Sequence, residues 1–420
     1  MSEDVLVIGA GPAGLNCAFY LRQQGISYKV LDRAELIAST WDSLYPSLRL
    51  NTSRFFSHMP HKRFPLHYGI FPTGRQYHDY LAAYQAEQQF NIEFGVSVEC
   101  VEPVNGGWRV DTHAGSAWYP VVINATGRFN NPFSAQIPGL DEFQGEVLHT
   151  HDYTGPDAWK DRRIMIVGNG PSGTDLAIEL GQDRGTDNPV LLSMRTGILL
   201  GRRYPLGLPK HAWMMLAEWL PEALRRKLMG FIGRIDFGDI SRYGIKTPEP
   251  GQASGAAATR GPELIDAVRS GQVRCVDGPA RFHEHSVTLD DGSTHEIDAV
   301  ILATGYQPAL AYLTHLDLTP DSQGWPERYN SRNYDLNYAA FEQGGTYGVG
   351  PKIDAQMQPL LREIRGYPGL FLVGVYYKGK GAMYNFRVEA EVASHQIRQY
   401  LTHHPKPLYK GSAADTPTPG

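Results

Sequence analysis

The hydrophobic pattern of the chain opens with a short apolar run that ends in a glycine-rich turn. Residues 4–8 are mostly Val, Leu and Ile, residues 9–14 are Gly-Ala-Gly-Pro-Ala-Gly, residues 15–24 have a helical pattern, and residues 28–31 form a second apolar run. Continuous apolar runs of this length are typical of strands buried on both faces of a parallel sheet. The order strand, turn, helix, strand therefore predicts a βαβ unit that binds a dinucleotide.

The glycines of this turn have the spacing that a bound pyrophosphate needs. Gly9, Gly11 and Gly14 allow positive φ, close approach of the phosphates and tight packing of the helix on the strand. The N–H groups and dipole of the helix then attract the phosphates. Asp32 ends the second strand, where a carboxylate can accept hydrogen bonds from an adenosine ribose. A chance glycine loop is the alternative interpretation.

The same pattern recurs in the middle of the chain. Residues 164–167 predict a strand, residues 174–180 a helix and residues 190–193 the next strand. The turn between the first two contains Gly168, Gly170, Ser172 and Gly173. Two dinucleotides are therefore predicted, one for each unit.

The second unit has an arginine where the first has an acid. Arg195 follows the strand at 190–193. A guanidinium pairs bidentately with a ribose 2′-phosphate, which a carboxylate would repel, so NADPH is favoured over NADH. The alternatives are that Arg195 is only a solvated cation at a strand end, or that Arg202 and Arg203 share or replace its role.

Two further apolar runs end in the same three residues, Ala-Thr-Gly, at 125–127 and 303–305. Each is predicted to be a strand that ends where the chain crosses between the two nucleotide domains. Small residues after a buried strand are also common in ordinary turns.

Length and charge agree with a two-domain enzyme. A chain of 420 residues exceeds what one core usually holds. A net charge of −5 gives no reason to expect a nucleic-acid partner. No apolar stretch is long enough to span a bilayer, and the chain passes directly from Met1 into a strand, so a cytoplasmic location is expected.

Cysteine and histidine usage narrows the chemistry. The chain has three cysteines, Cys17, Cys100 and Cys275, and no CxxC pair, so a thioredoxin-reductase type of redox centre is not expected. The fifteen histidines form no Cys/His set with recognised ligand spacing, and no metal site is predicted.

Residues 143–153 are similar to a signature of the class B flavin-dependent monooxygenases, the group that contains the flavin-containing monooxygenases and the plant YUCCA-type enzymes. Phe143, Gly145, His149 and Tyr153 match the pattern FxGxxxHxxx(Y/F), just before the second glycine turn. The Baeyer–Villiger branch carries Trp at the last position, which here is Tyr153. The resemblance implies oxygenation at nitrogen, sulfur or a carbon centre ahead of Baeyer–Villiger chemistry.

The resemblance covers nearly the whole chain and implies an α/β fold of two Rossmann-like dinucleotide-binding domains, an FAD domain with an inserted NADPH domain. The predicted bounds are residues 1–155 and 299–403 for the FAD domain and 156–298 for the NADPH domain, with a helical segment at about 205–245. The polar tail at 404–420 lies outside the resemblance and is predicted to be disordered. For the apolar part of the helical segment, at 212–235, a substrate lid, a membrane-touching surface and a homodimer contact are alternatives to packing on the NADPH domain.

The resemblance also implies roles for single residues. Asn51, in a stretch similar to the family's segment beside the flavin ring, would donate a hydrogen bond at the reactive edge without acting as an acid. Its alternative role is to cap a turn with Thr52 and Ser53. His149 would be a hinge residue. The implied cofactor-binding residues are Gly9, Gly11, Gly14, Asp32, Arg33, Trp41, Thr126, Gly168, Gly170, Ser172, Gly173, Arg195, Thr304, Gly305 and Asn385.

The implied mechanism is that of the family. NADPH reduces FAD, dioxygen adds to give a C4a-(hydro)peroxyflavin, and one oxygen atom passes to a small organic substrate, which the sequence does not identify. Three alternatives stay open: a Baeyer–Villiger monooxygenase, an NADPH-dependent flavin reductase without oxygenation, and a non-enzymatic redox sensor.

Overall fold

Apolar runs form the central strands of two parallel sheets. The computed structural model describes residues 3–182, 187–198, 200–209, 239–247, 260–321, 324–328, 362–375 and 381–404, with nine further positions between 212 and 237. Residues 405–420 of the predicted tail and most of the 212–235 segment lie outside the described residues.

The first sheet contains the first glycine turn. Its strands are β1 (Val5–Ile8), β2 (Tyr28–Leu31), β3 (Ile92–Glu93), β7 (Val121–Asn124) and β16 (Leu370–Leu372). They are parallel in the order β16-β7-β1-β2-β3. Alternate side chains of β1 enter different cores, because Val5 and Val7 pack on one face of the sheet and Leu6 and Ile8 on the other.

The second sheet repeats this arrangement around the second turn. Its strands are β8 (Glu146–His149), β9 (Ile164–Val167), β10 (Val190–Ser193), β11 (Val273–Val276) and β15 (Ala299–Leu302), in the parallel order β11-β10-β9-β15-β8. Two small antiparallel sheets pack beside the parallel ones. They are formed by β4 (Val98–Val104), β5 (Gly107–Thr112) and β6 (Gly115–Tyr119), and by β12 (Pro279–Phe282), β13 (Ser286–Leu289) and β14 (Thr294–Glu296).

Helices cover the sheets. They are α1 (Pro12–Gln23), α2 (Ser39–Asp42), α3 (Arg54–Ser57), α4 (Gly74–Gln88), α5 (Pro171–Gly181), α6 (Gly261–Arg269) and α7 (Ala382–His403). Short 3₁₀ turns occur at Leu66–Tyr68, Asp157–Trp159, Pro205–Gly207, Ser241–Tyr243 and Ala311–Leu313. No helix among the described residues is both long and apolar enough to cross a membrane.

Helices α1 and α5 start earlier than their apolar patterns suggest. Each has a glycine N-cap, Gly11 or Gly170, followed by proline in the first turn. Proline suits this position because the backbone N–H groups of the first helical turn have no partner within the helix, so the N–H that proline lacks would not be used there. The helix start therefore lies inside the glycine turn, where the N–H groups of a first helical turn are available to an anion.

The predicted domain bounds do not coincide with the sheets. Strand β8 lies before residue 156 and β15 lies after residue 298, yet both pair within the second sheet. The chain crosses between the sheets after β7 and again after β15, as the two Ala-Thr-Gly segments predict. The strands on either side of the predicted NADPH domain, β8 and β15, thus pair with the strands of that domain, and β8 carries the motif that the sequence links to the hinge.

Candidate functional site

The first glycine turn is shaped by close backbone contacts. Gly9 has φ +106°, and a Cβ there would lie 2.8 Å from the carbonyl oxygen of Ala125. A Cβ on Gly14 would overlap the carbonyl oxygen of Gly9. A Cβ on Gly11 would meet nothing within 4 Å. Two glycines therefore serve packing, and Gly11 keeps an open face at the helix N-terminus, as a bound pyrophosphate requires.

Asp32 fixes the same turn from the end of β2. Its carboxylate accepts the Ala10 N–H at 2.6 Å and the Ala34 N–H at 2.9 Å. Carboxylate oxygens have further lone pairs, so ribose hydroxyls can still be accepted. Arg33 is exposed, and its guanidinium lies 3.4 Å from the carbonyl oxygen of Asn130. Trp41 is half-buried and meets Tyr77 edge to face at 4.6 Å.

The segment that carries Asn51 lies against the N-terminus of α7. Gly381, the N-cap of α7, has φ +99°, and a Cβ there would overlap the Thr52 hydroxyl. Asn385 lies in the first turn of α7 and is fully buried. The structure thus brings the two predicted asparagines to one end of a helix, where the helix dipole favours negative charge.

The end of β16 connects this helix to the first turn. A Cβ on Gly374 would lie 2.6 Å from the Cβ of Ala13. The Gly374 and Val375 N–H groups donate to Glu389 of α7, at 2.9 and 3.1 Å. The turn at 9–14 and the N-terminal half of α7 are therefore held beside each other.

The second turn has the geometry of the first. Gly168 has φ +113°, and a Cβ there would lie 2.5 Å from the Ala303 carbonyl oxygen. A Cβ on Gly173 would overlap the Gly168 carbonyl oxygen, whereas one on Gly170 would meet nothing within 4 Å. The carbonyl groups that make these contacts belong to Ala125 and Ala303, which are not among the residues predicted from the sequence, although both directly precede Thr-Gly.

Residues 45–47 connect the first part of the chain to α5. Tyr45 is buried with its hydroxyl near Ser172, a predicted cofactor residue, and burial raises the Tyr45 pKa well above its ordinary value. The Ser47 hydroxyl donates to Glu179 at 2.6 Å. The first turn of α5 is thus contacted from the FAD side.

Arg195 lies beside the second turn in a large open cleft. It is exposed at the end of β10, and the Asn169 side chain of the turn donates to the next carbonyl, that of Thr196, at 2.7 Å. The cleft measures about 930 Å³ and is also lined by Lys246 and Arg274. The lining also contains two carboxylates, Asp277, which pairs with Lys246, and Asp291, so Arg195 and Arg274 are the cations suited to a 2′-phosphate.

Arg202 and Arg203 lie elsewhere. The Arg202 guanidinium is over the ring of Phe237 at 5.4 Å and that of Arg203 over the ring of Phe71 at 5.8 Å. Burial lowers the Arg203 pKa, although nearby Asp175 opposes this. Arg195 is therefore the better placed of the three for the 2′-phosphate.

The chain passes between the two sheets in two segments, one after β7 and one after β15, and these two crossings run side by side. The Thr126 hydroxyl donates to the Ala309 carbonyl at 3.3 Å, and the Thr304 hydroxyl donates to the Phe133 carbonyl. The Phe133 N–H donates to the Gly305 carbonyl at 2.9 Å. These three predicted cofactor residues therefore tie one crossing to the other.

His149 reinforces this pair of crossings. Its Nε2 lies 3.1 Å from the Gly305 carbonyl oxygen, and its Nδ1 accepts the His151 N–H at 3.0 Å. Burial lowers the His149 pKa, although the bond to Gly305 opposes this. The ring therefore links the end of β8 to the segment after β15, and its role as a hinge residue stays a prediction.

The other residues of the signature at 143–153 also make close packing contacts. Phe143 packs on Phe282 at 5.8 Å, and Tyr153 is buried between Tyr45 and Trp159 at 6.1 and 6.2 Å. A Cβ on Gly145 would overlap the Asp298 carbonyl oxygen. The three cysteines are free, and no disulfide is present.

Comparison with known proteins identifies relatives of this chain. The family model described as pyridine nucleotide-disulphide oxidoreductase matches residues 6–196. The probable indole-3-pyruvate monooxygenase YUCCA9 of Arabidopsis thaliana is 32% identical over 316 residues, which are 72% of this chain and 74% of the relative.

Two solved structures share the fold. A flavin-containing monooxygenase from Stenotrophomonas maltophilia has a TM-score of 0.68 at 22% identity and covers 95% of this chain and 98% of its own. Cyclohexanone monooxygenase in its open form has a TM-score of 0.66 at 18% identity, with coverages of 96% and 88%. The chain belongs to the class B flavin-dependent monooxygenases, the enzymes that use FAD and NADPH.

Proposed function

We propose that the protein is an NADPH- and O₂-dependent monooxygenase that transfers one oxygen atom to nitrogen, sulfur or a carbon centre of a small organic substrate. The observation that carries this is the packing of Thr52 on Gly381, which sets Asn51 beside the N-terminus of α7. A reduced flavin ring at this end of the helix would gain from its dipole. The neighbouring amide of Asn51 would offer a hydrogen bond to reduced oxygen.

In this proposal each glycine turn holds one cofactor. Gly9, Gly11 and Gly14, with Asp32, bind FAD on the first sheet, and Gly168, Gly170 and Gly173 bind NADPH on the second. Arg195 pairs with the 2′-phosphate. Bound FAD supplies the activation of dioxygen, by the route that the sequence resemblance implies. The chain itself orients the two cofactors and withholds protons from the reacting oxygen.

The relatives suggest the first substrate to test. YUCCA9 carries the name probable indole-3-pyruvate monooxygenase, and indole-3-pyruvate is an aromatic 2-oxo acid. We propose this acid as the first compound in a panel that also holds a thioether and a cyclic ketone. The ketone tests the Baeyer–Villiger alternative.

The experiment measures NADPH oxidation, hydrogen peroxide and oxygenated product with each compound. We expect product from the 2-oxo acid or the thioether in amounts that match the NADPH oxidised. A lactone from the ketone alone would instead indicate a Baeyer–Villiger enzyme. NADPH oxidation that yields only hydrogen peroxide with the whole panel would count against oxygenation.

A matched pair of variants tests Asn51. We expect Asn51→Ala to lower the ratio of product to peroxide by at least about tenfold while NADPH oxidation continues, because one hydrogen-bond donor to the reacting oxygen is lost. Asn188→Ala removes an amide just before the amino end of β10, whereas the second glycine turn lies at the carboxyl ends of the strands. This variant should leave the ratio of product to peroxide unchanged. Equal ratios in the two variants would remove Asn51 from the proposal.

A further inference from the structure

Three side chains with metal-ligating atoms meet on the β4–β6 sheet, outside both nucleotide turns. Cys100 and Glu102 lie two residues apart on β4, and His315 follows the 3₁₀ turn Ala311–Leu313. One ligand atom from each lies within 4.8 Å of the others. The histidine is exposed and the other two side chains are half-buried, so an ion can reach the cluster from solvent.

The two distances from the sulfur to its neighbours are close to those of a tetrahedral site. Cys100 Sγ is 3.7 Å from Glu102 Oε1, 3.9 Å from His315 Nδ1 and 3.8 Å from His315 Nε2. In a tetrahedral zinc site, bond lengths of about 2.0 to 2.3 Å place neighbouring donor atoms about 3.6 Å apart. Shifts of a few tenths of an ångström would therefore bring the sulfur and each neighbour to the spacing of two zinc ligands, and the ligand atoms of Glu102 and His315 lie within 4.8 Å of each other.

The surrounding hydrogen bonds already orient two of these ligands. His315 Nε2 lies 3.1 Å from the carbonyl oxygen of Val101, which favours a proton on Nε2 and leaves Nδ1 as the donor atom for a metal. A hydrogen bond from the second ring nitrogen to a carbonyl is usual for metal-bound histidine. Arg109 donates to Glu102 Oε2 at 2.6 Å, so Oε1 remains on the thiol side.

We propose that Cys100, Glu102 and His315 bind a thiophilic divalent cation, with Zn²⁺ the preferred ion and water in the fourth position. Thiolate, imidazole and carboxylate together suit Zn²⁺ and disfavour Mg²⁺ and Ca²⁺, which take oxygen ligands. Binding displaces the thiol proton to solvent. The ion would join β4 to the segment that returns from the second sheet, which gives the ion a bracing role.

The test titrates Zn²⁺ into the metal-stripped, FAD-loaded full chain by calorimetry and examines the bound ion by X-ray absorption. We expect one ion per chain with one sulfur ligand. Cys100→Ser and His315→Gln should each weaken binding at least about tenfold. Cys275→Ser, which removes a half-buried cysteine from β11, should bind as the parent does.

His315→Gln changes an exposed side chain, so its flavin content and fold should remain normal and its result can be read even if Cys100→Ser is poorly folded. Absence of Zn²⁺ binding, a bound ion without a sulfur ligand, or equal affinity in His315→Gln and the parent would overturn the site.

Discussion

At the scale of single residues, some glycines of the two turns are required by close packing and others leave space for a ligand. Gly14 and Gly173 lie where a side chain would overlap a carbonyl oxygen, and Gly11 and Gly170 lie where it would meet nothing within 4 Å. Substitution of the first pair should therefore disturb the fold. Substitution of the second pair should disturb only what binds there.

We expect Gly11→Ala to lose FAD and Gly170→Ala to lose NADPH, each by at least about tenfold in affinity, with no change in the circular dichroism of the chain. Gly170→Ala should keep its FAD. Gly173→Ala is the comparison, because it should also lower the midpoint of thermal unfolding. Full nucleotide affinity in Gly11→Ala and Gly170→Ala would mean that phosphates do not occupy the open faces.

Arg195 offers a second test at this scale. We expect Arg195→Ala to raise the KM for NADPH by about ten- to a hundredfold and to change the KM for NADH little, because a charge-assisted pair with the 2′-phosphate is lost. Arg269→Ala, which removes an exposed arginine of α6, should change neither value. Equal losses for the two cofactors in Arg195→Ala would contradict the assignment.

At the scale of elements, α7 is the structural partner of the first turn. Its Glu389 is fully buried, accepts two N–H groups from residues 374–375 and lies 2.7 Å from Arg328 and 3.6 Å from Arg362. Burial raises the Glu389 pKa, but the arginines and the N–H donors outweigh it and the net pKa is lowered. Glu389 therefore contributes stability at neutral pH that is lost as the pH falls.

We expect Glu389→Gln to lower the free energy of unfolding at pH 7 by about 3 to 5 kcal/mol, because two buried guanidinium groups lose their carboxylate. Urea denaturation of the FAD-loaded protein measures this. A loss below 1 kcal/mol would show that the cluster does not hold α7.

Glu391, two residues further along α7, is the matched control. Burial raises its pKa to about 7, against smaller opposing effects of Arg387 and Tyr20. The folded state therefore binds more protons than the unfolded state between about pH 4.5 and 7, and stability falls across this window as the pH rises. Glu391→Gln should remove this slope and should match or exceed the parent in stability at pH 8.

The sequence predicts the buried strands of both sheets. It does not predict contacts or helix ends that depend on residues far apart in the chain. Strands such as Ile164–Val167 are predictable because both faces are buried and the apolar run is continuous. The start of α7 at Ala382 is not predictable from the sequence, because its N-cap, Gly381, lacks the polar side chain that usually marks a helix N-terminus. The contact of Thr52 with Gly381 joins residues far apart in the chain, which no local pattern records.

At the scale of the whole molecule, two crossings held together by Thr126, Thr304 and His149 connect the two sheets. Each crossing also supplies the alanine carbonyl that shapes one glycine turn. The two proposed cofactor sites therefore share one connecting structure. Motion of one sheet relative to the other would act on both turns together.

The proposed function requires the FAD and NADPH sites to act together in activating dioxygen. The most direct measurement reduces the FAD-loaded protein with NADPH under anaerobic conditions, mixes it with oxygenated buffer and follows the flavin absorbance. We expect a spectral phase distinct from both reduced and oxidised flavin that persists until a substrate is added. A direct return to oxidised flavin in every buffer would contradict the activation of dioxygen by this protein.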